Sequence, residues 1–293
     1  MRYYIAIILL LLAILPIRSA NKRALLIGIS EYPDNKTVIE ANWQSIHGAN
    51  DVVMIQKTLK SQGFRVSTIV NSNATADKIR KALKKLQSEV NLGDIVYLHF
   101  SCHGQPVEDT DGDENDGWDE ALVPYDAMKV YLIDKYTGVN HITDDELNVY
   151  LKAIRKKIGL QGFLYVVIDA CHAGSSYRGE EAEDSVVIRG TDKGFSKNNK
   201  QYAPRIDKRG KIKVEKANNM ANICILEACR SYQVNSEIRA DGNYYGSLSY
   251  YVNKALQKTK LESNSSWTDL VVKFMNQDIR LVRQNPVIET SQY

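Results

Sequence analysis

Short apolar runs alternate along the chain with longer stretches that carry apolar residues at helical spacing. Residues 24–29 are apolar and are bounded by Ser30 and Pro33, which predicts a strand buried on both faces. Residues 49–59 carry Val52, Val53, Ile55 and Leu59 and read as a helix that stops at Gly63. Residues 64–70 alternate as a strand does. Over 76–90, Ile79, Leu83, Leu86 and Val90 share one helical face, with Thr75 as N-cap and Asp77 in the first turn. Residues 95–100 predict the next strand. Thr143 opens a helix with Glu146 three residues on, a capping box, and Ile142 with Leu147 forms a hydrophobic staple. Leu147, Leu151, Ile154 and Ile158 make the buried stripe of that helix. Residues 163–168 and 223–226 predict strands, 248–256 and 267–282 helices, and 287–288 a last short strand.

Strands alternating with helices of ten to fifteen residues require crossover connections. They imply an α/β fold with a mostly parallel sheet, whose ligand sites lie beyond the carboxyl ends of the strands. Two segments with chemistry fall there. Phe100-Ser101-Cys102-His103-Gly104 ends one predicted strand, and Asp169-Ala170-Cys171-His172-Ala173-Gly174 ends another. An imidazole and a thiol brought to one sheet edge are the unit of cysteine nucleophilic catalysis, so Cys171 is the candidate nucleophile and His103 the candidate base. Gly104 and Gly174 allow close backbone approach and offer N–H donors for an oxyanion. No residue stands out as the group that orients His103. His172 adjoins Cys171 and faces away from it, and Cys229, in Leu226-Glu227-Ala228-Cys229-Arg230-Ser231, lacks a following glycine.

Composition narrows the setting. The 293 residues carry a net charge of +3, too little to suggest nucleic acid as a partner. Arg2, an apolar run from Ile5 to Leu15, Pro16, and then Ser19 and Ala20 read as a signal peptide over 1–20. The run is too short for a stable membrane span, so the chain is expected to be exported. Without this leader 36 basic residues face 35 acidic ones, because 1–20 holds two arginines and no acid. Cys102 and Cys224 lie inside strand-like runs and are expected to be buried thiols rather than disulfide partners.

Two long stretches interrupt the alternation. Residues 105–140 gather acids from Asp109 to Asp126, with no Lys or Arg before Lys129. Residues 189–216 hold ten Lys or Arg against three acids, the pattern of an exposed loop open to cleavage.

The order Ser101-Cys102-His103-Gly104-Gln105, the acidic spacer from Asp109 through Asp119-Glu120 to Pro124-Tyr125-Asp126, and Asp169 to Gly174 resembles the metacaspases. The resemblance covers about residues 22–258. It implies a caspase-like three-layer αβα sandwich with a mostly parallel central sheet, and a cysteine endopeptidase that cuts after Arg or Lys. His103 and Cys171 match the catalytic dyad, and Asp51, Ser101 and Asp169 match the pocket for the substrate's basic side chain. The expected organisation is one domain over 21–293: a large segment to about 180, a basic linker over about 181–220 and a small segment beyond. An enzyme of this specificity could process itself in the linker at Lys193, Lys197, Lys200, Arg205, Lys208, Arg209 or Lys211.

The family's calcium ligands match Asp119, Asp144 and Asp145, but Arg178 stands where a fourth acid is expected. The acidic spacer also fails as an EF-hand loop, since Asp116 occupies the glycine position. No cofactor is expected to be required. The expected partners are peptide or protein substrates with a basic residue before the cut, and the chain is expected to be monomeric. Three alternatives stand beside this reading: a legumain- or gingipain-like peptidase of the same clan, an inactive binding domain of the same fold, and a zinc hydrolase using His99, His103 and Cys171.

Overall fold

A computed structural model describes residues 20–171, 187–204, 206–214, 216–264 and 266–292. The expected leader over 1–20 lies outside them save for Ala20, as do His172, Gly174, Arg178 and Arg205. Along the described chain run β1 (Lys22–Gly28), α1 (Gly48–Ser61), β2 (Arg65–Val70), α2 (Ala76–Glu89), β3 (Ile95–Ser101), β4 (His103–Glu108), β5 (Trp118–Val123), β6 (Ile142–Thr143), α3 (Asp144–Ile158) and β7 (Phe163–Asp169). Then follow β8 (Lys211–Lys213), β9 (Asn222–Glu227), β10 (Glu237–Ala240), β11 (Asn243–Gly246), α4 (Ser247–Leu256), α5 (Trp267–Gln277) and β12 (Val287–Thr290).

Seven strands form the central sheet in the order β2-β1-β3-β7-β9-β12-β8. The sheet is parallel except where β12 runs antiparallel to β9. Its inner strands β1, β3 and β7 are covered on both faces, which is why they read as continuous apolar runs, whereas the edge strands β2 and β8 stay largely exposed. Ala24 and Leu26 of β1 join Tyr97, Tyr165 and Val167 against α1, α4 and α5, through Val52, Ile55, Leu248, Val252 and Met275. Leu25 and Ile27 point the other way, with Leu98 and Val166, against Ile79 and Leu83 of α2 and Leu151 and Ile154 of α3. The two-residue period of each strand thus feeds two separate cores and yields the three-layer sandwich expected from the sequence.

The helix starts follow local rules. Thr75 Oγ1 accepts from the Lys78 N–H at 3.4 Å and Thr143 Oγ1 from the Glu146 N–H at 3.2 Å. Glu146 turns its carboxylate to Arg80, 2.7 Å away, and so ties α3 to α2.

The structure departs from expectation in three places. Residues 105–140 are not one irregular loop, because β4 and β5 pair there as an antiparallel ribbon. The last helix stops at Gln277, where Asp278 caps a short 3-10 turn over Ile279–Leu281. A hairpin of β10 and β11 turns at Asp241-Gly242, both with positive φ (51° and 80°), the conformation that Asp-Gly favours. No helix among the described residues is long and apolar enough to cross a membrane.

Candidate functional site

Parallel pairing brings the two chemical segments together. Ser101, the last residue of β3, lies in register with Asp169, the last of β7. Helix α1 starts directly above them because two glycines let backbones touch. A Cβ on Gly48 would sit 2.2 Å from the Ser101 carbonyl oxygen, and one on Gly28 2.3 Å from that of Gly48. The first turn of α1 thereby carries Asp51 into the interior, where its carboxylate accepts from Ser101 Oγ at 2.6 Å and from the Gly246 N–H at 3.1 Å. Asp169 accepts from Asn235 Nδ2 at 2.7 Å and from the Ser249 N–H and Oγ at 2.7 and 2.6 Å.

The three residues expected to hold a basic side chain do surround one: Arg189, which has no solvent exposure at all. Its Nη1 lies 2.8 Å from Asp51 and 3.7 Å from Asp169 and donates to Ser101 Oγ. Its Nε and Nη2 donate to Glu237 at 3.0 and 2.7 Å. A buried guanidinium needs such company, because burial works against its charge. Asp51, then Asp169 and Glu237, outweigh that penalty and hold it firmly protonated. Burial pushes the Asp51 carboxyl up to about 7; Arg189 and Ser101 pull against that rise and Asp169 adds to it. Removing the cation would strand three carboxylates in the interior.

The backbone of Arg189 is held as closely as its side chain. Its carbonyl oxygen accepts from the N–H of Cys171 at 3.0 Å and of Gly104 at 3.2 Å. Its own N–H donates to the Asn235 carbonyl at 3.0 Å, and the Val187 carbonyl accepts from the Glu237 N–H at 2.9 Å. Gly190 then pairs with Cys171.

His103 opens β4. Its Nε2 lies 2.7 Å from the Gln44 carbonyl oxygen, its ring stacks on Trp43 at 4.9 Å, and its N–H donates to Tyr32 Oη at 3.1 Å. A carbonyl can only accept, so Nε2 carries the hydrogen and Nδ1 holds the lone pair. Nδ1 is buried and makes no hydrogen bond. Burial, against the Gln44 contact, pushes the imidazole down to about 4, so it is neutral near pH 7. The Cys171 thiol donates to the Gln233 carbonyl at 2.9 Å and accepts from Cys229 Sγ at 3.3 Å. The Cys171 contact, and then burial, hold Cys229 well above the usual thiol range, so it stays protonated. Burial, and after it the charge of Asp169 on one and Asp269 on the other, pushes Cys102 and Cys224 up to about 12, and they are inert core residues.

His99 does not join a metal site with His103 and Cys171. Its two ring nitrogens are engaged by Tyr97 Oη at 3.1 Å and Ser249 Oγ at 3.0 Å, so it buttresses the hydroxyl that holds Asp169. The acidic spacer folds back on itself. Asp109, Asp113 and Asp119 bring ligand oxygens within 4.8 Å of one another, as do Asp111, Asp113 and Asp145. The expected trio of Asp119, Asp144 and Asp145 is therefore divided between two clusters, with Asp144 instead accepting from the Glu120 N–H at 3.2 Å. Desolvation, then Asp144, raises Asp119 to about 7.

Sequence reasoning missed five members of this site: Arg189, Gln44, Asn235, Glu237 and Gly246. Only Arg189 carried a local signal, since the β-branched run Val186-Val187-Ile188 before Arg189-Gly190 reads as a strand between an acidic stretch and the basic linker. The anticipated linker residues Lys193, Lys197, Lys200, Lys208, Arg209 and Lys211 are all exposed.

A family model described as Caspase domain matches residues 21–292. Metacaspase-1 of Mycosarcoma maydis is 23% identical over 307 aligned residues, covering 91% of this chain and 71% of that protein. Metacaspase-1B of Aspergillus fumigatus is 34% identical over 103 residues, covering 35% of this chain and 22% of that protein. The chain spans only 22% of this second relative's length and 33% of that of Metacaspase-1A of Neurospora crassa. Among solved structures, a protein from Geobacter sulfurreducens superposes with a TM-score of 0.60 at 21% identity over 92% of this chain and 93% of the other. Caspase-1 from Spodoptera frugiperda gives 0.53 at 16% identity over 92% and 86%.

Proposed function

Because the chain belongs to the caspase-domain family and is a metacaspase-like cysteine peptidase, we propose that it is an endopeptidase that cuts after arginine, and less well after lysine, using Cys171 and His103. The observation that carries this reading is the seat of Arg189: a guanidinium among Asp51, Asp169, Ser101 and Glu237, with its carbonyl between two N–H groups beside the thiol. In this mechanism Cys171 attacks the carbonyl carbon and His103 Nδ1 takes the thiol proton and later protonates the leaving amine. The N–H groups of Gly104 and Cys171 receive the developing oxyanion. The Gln44 carbonyl fixes the tautomer that leaves Nδ1 free for this task.

The preference for arginine follows from the spacing of the acids. Nε and Nη2 meet Glu237 while Nη1 meets Asp51. A lysine ammonium is a single point and cannot span both. In a fluorogenic peptide panel, arginine before the cut is expected to lead lysine by about tenfold or more. Asparagine and aspartate are expected to give no turnover, which separates this reading from a legumain-like enzyme. Turnover of the asparagine or aspartate peptide, with none of the arginine peptide, would defeat it. An inactive binding domain would fail the whole panel.

The basic linker is where the chain is read to process itself. The leader is read to route the enzyme, as a monomer, out of the cytosol to peptide and protein substrates. Calcium, if bound, would be held by Asp109, Asp113 and Asp119, where its charge would offset the burial and the neighbouring Asp144 and Asp109 carboxylates that raise Asp119. These acids lie outside the Cys171–His103 machinery, so a chelator is expected to leave arginine-peptide hydrolysis within about twofold of its starting rate. A tenfold loss reversed by calcium would make the ion part of the catalytic requirement.

A further inference from the structure

Resting on that reading, we propose that the Arg189–Gly190 peptide bond is the chain's own first substrate and that the structure holds it seated for cleavage in cis. Four kinds of contact meet on this segment. Its backbone lies antiparallel to residues 235–237, through Arg189 N–H to the Asn235 carbonyl and Glu237 N–H to the Val187 carbonyl, as an extended peptide docks on a strand. Its carbonyl points at the N–H groups of Cys171 and Gly104. Its side chain fills the carboxylate pocket without exposure. Gly190 lies directly on the nucleophile's backbone, where a Cβ would come within 2.1 Å of the Cys171 carbonyl oxygen and 3.1 Å of Cys171 Cβ.

A buried arginine serving only as a structural ion pair would have no need of its carbonyl between two N–H donors, or of a following residue without a side chain. Three other basic residues of the linker are seated elsewhere. The Lys193 carbonyl accepts from Gln105 Nε2 at 2.8 Å, Lys200 lies over Trp118 at 5.1 Å, and Arg209 pairs with Asp207. These anchors hold the chain beyond Gly190 along β4, where the Phe195 N–H donates to the Pro106 carbonyl at 2.7 Å.

For the reaction, the Cys171 sulfur leaves Gln233 and Cys229 by rotation about χ1 and attacks the Arg189 carbonyl carbon, its proton passing to His103 Nδ1. The S–C bond forms, the C–N bond to Gly190 breaks, and His103 returns the proton to the Gly190 amine. Water then hydrolyses the thioester, leaving a carboxylate on Arg189 and the thiol on Cys171. No oxidant or cofactor enters. Until the cut, Arg189 fills the pocket that an incoming arginine needs, so the intact chain is self-occluded.

The test is intact-mass and N-terminal analysis of purified full-length wild type, Cys171→Ala, Gly190→Ala and Arg189→Lys, each also assayed on an arginine peptide. The wild type is expected to yield a fragment beginning Gly190-Thr191-Asp192 that Cys171→Ala lacks. Gly190→Ala keeps Arg189 but meets the Cys171 carbonyl, and is expected to cut this bond at least tenfold more slowly. Arg189→Lys keeps a cation in the pocket, so it tests the site even if removal of the charge prevents folding, and it is expected to cut slowly at the same bond. A wild type that hydrolyses the arginine peptide while its 189–190 bond stays whole, or is cut only at other basic residues, would overturn the proposal and leave the specificity intact. A wild type that cleaves neither the peptide nor itself would bring down the functional reading beneath it.

Discussion

Replacing Cys171 by alanine is expected to abolish arginine-peptide hydrolysis, a loss on the order of 10⁴-fold or more, while Cys229→Ala keeps the rate within a fewfold. The contrast is informative because the two sulfurs lie only 3.3 Å apart in the same buried cluster, and a sequence reader sees both at the ends of strands after alanine. Two differences decide between them. The Cys171 N–H, not that of Cys229, donates to the Arg189 carbonyl, so it is the Cys171 backbone that meets the peptide bond to be cut. Cys229 is also held protonated by its neighbour and by burial, which makes it a poor nucleophile. Steady-state rates of both variants, with alkylation by iodoacetamide as a check on thiol reactivity, settle the matter. Retained activity in Cys171→Ala with loss in Cys229→Ala would reverse the assignment.

A single methyl group at Gly246 is expected to do nearly as much harm. A Cβ there would come within 2.2 Å of Asp169 Oδ2 and 2.4 Å of Arg189 Nη1, in the space that the guanidinium occupies. The backbone at Gly246, with φ −61° and ψ 136°, is open to any residue, so Gly246→Ala adds no conformational strain and its effect reports on the pocket alone. We expect kcat/KM for arginine peptides to fall by about two orders of magnitude, the scale of losing one desolvated charge contact. The drop should appear mainly in KM if seating alone is lost, and in kcat too if the carbonyl leaves the N–H pair. Asp51→Asn should fall in the same range, because it removes the carboxylate nearest Nη1 while keeping the shape and the Ser101 contact. Full activity in Gly246→Ala would mean that the substrate's basic side chain lies elsewhere.

How much of this was legible in the sequence depends on whether a feature is local. Strands buried on both faces announce themselves as apolar runs, and the alternation of runs with amphipathic helices is enough to require a parallel sheet. Ser101, Asp169, His103 and Cys171 fell at strand ends and so met at one edge. Asp51 was placed by its match to a family pattern, and the physical reason for its position is the bare contact between Gly28 and Gly48. The group that fixes His103 is a backbone carbonyl, Gln44, which has no side-chain signature at all. The β10–β11 turn has a local signature in Asp241-Gly242, but its flanking strands of four residues each are too short to show a clear alternation. Arg189 was hidden differently. Its partners lie 48 and 88 residues away in sequence, and the charged residues on both sides, Glu180 to Asp184 before it and Asp192-Lys193 after it, make the segment read as a solvated loop. A burial that depends on three distant carboxylates cannot be read from a local window.

Strands β7 and β9 stand side by side through six residue pairs, from Phe163 with Asn222 to Ile168 with Glu227, although the basic linker separates them in sequence. Severing the Arg189–Gly190 bond removes no rung of this ladder. The two pieces should therefore stay together as one particle under native conditions. What changes is the order of the folding reaction. A one-chain equilibrium becomes a two-body association, so the midpoint of denaturation acquires a dependence on protein concentration that the uncut chain lacks. Unfolding also becomes harder to reverse on dilution, because the two halves must find each other again before the sheet can close.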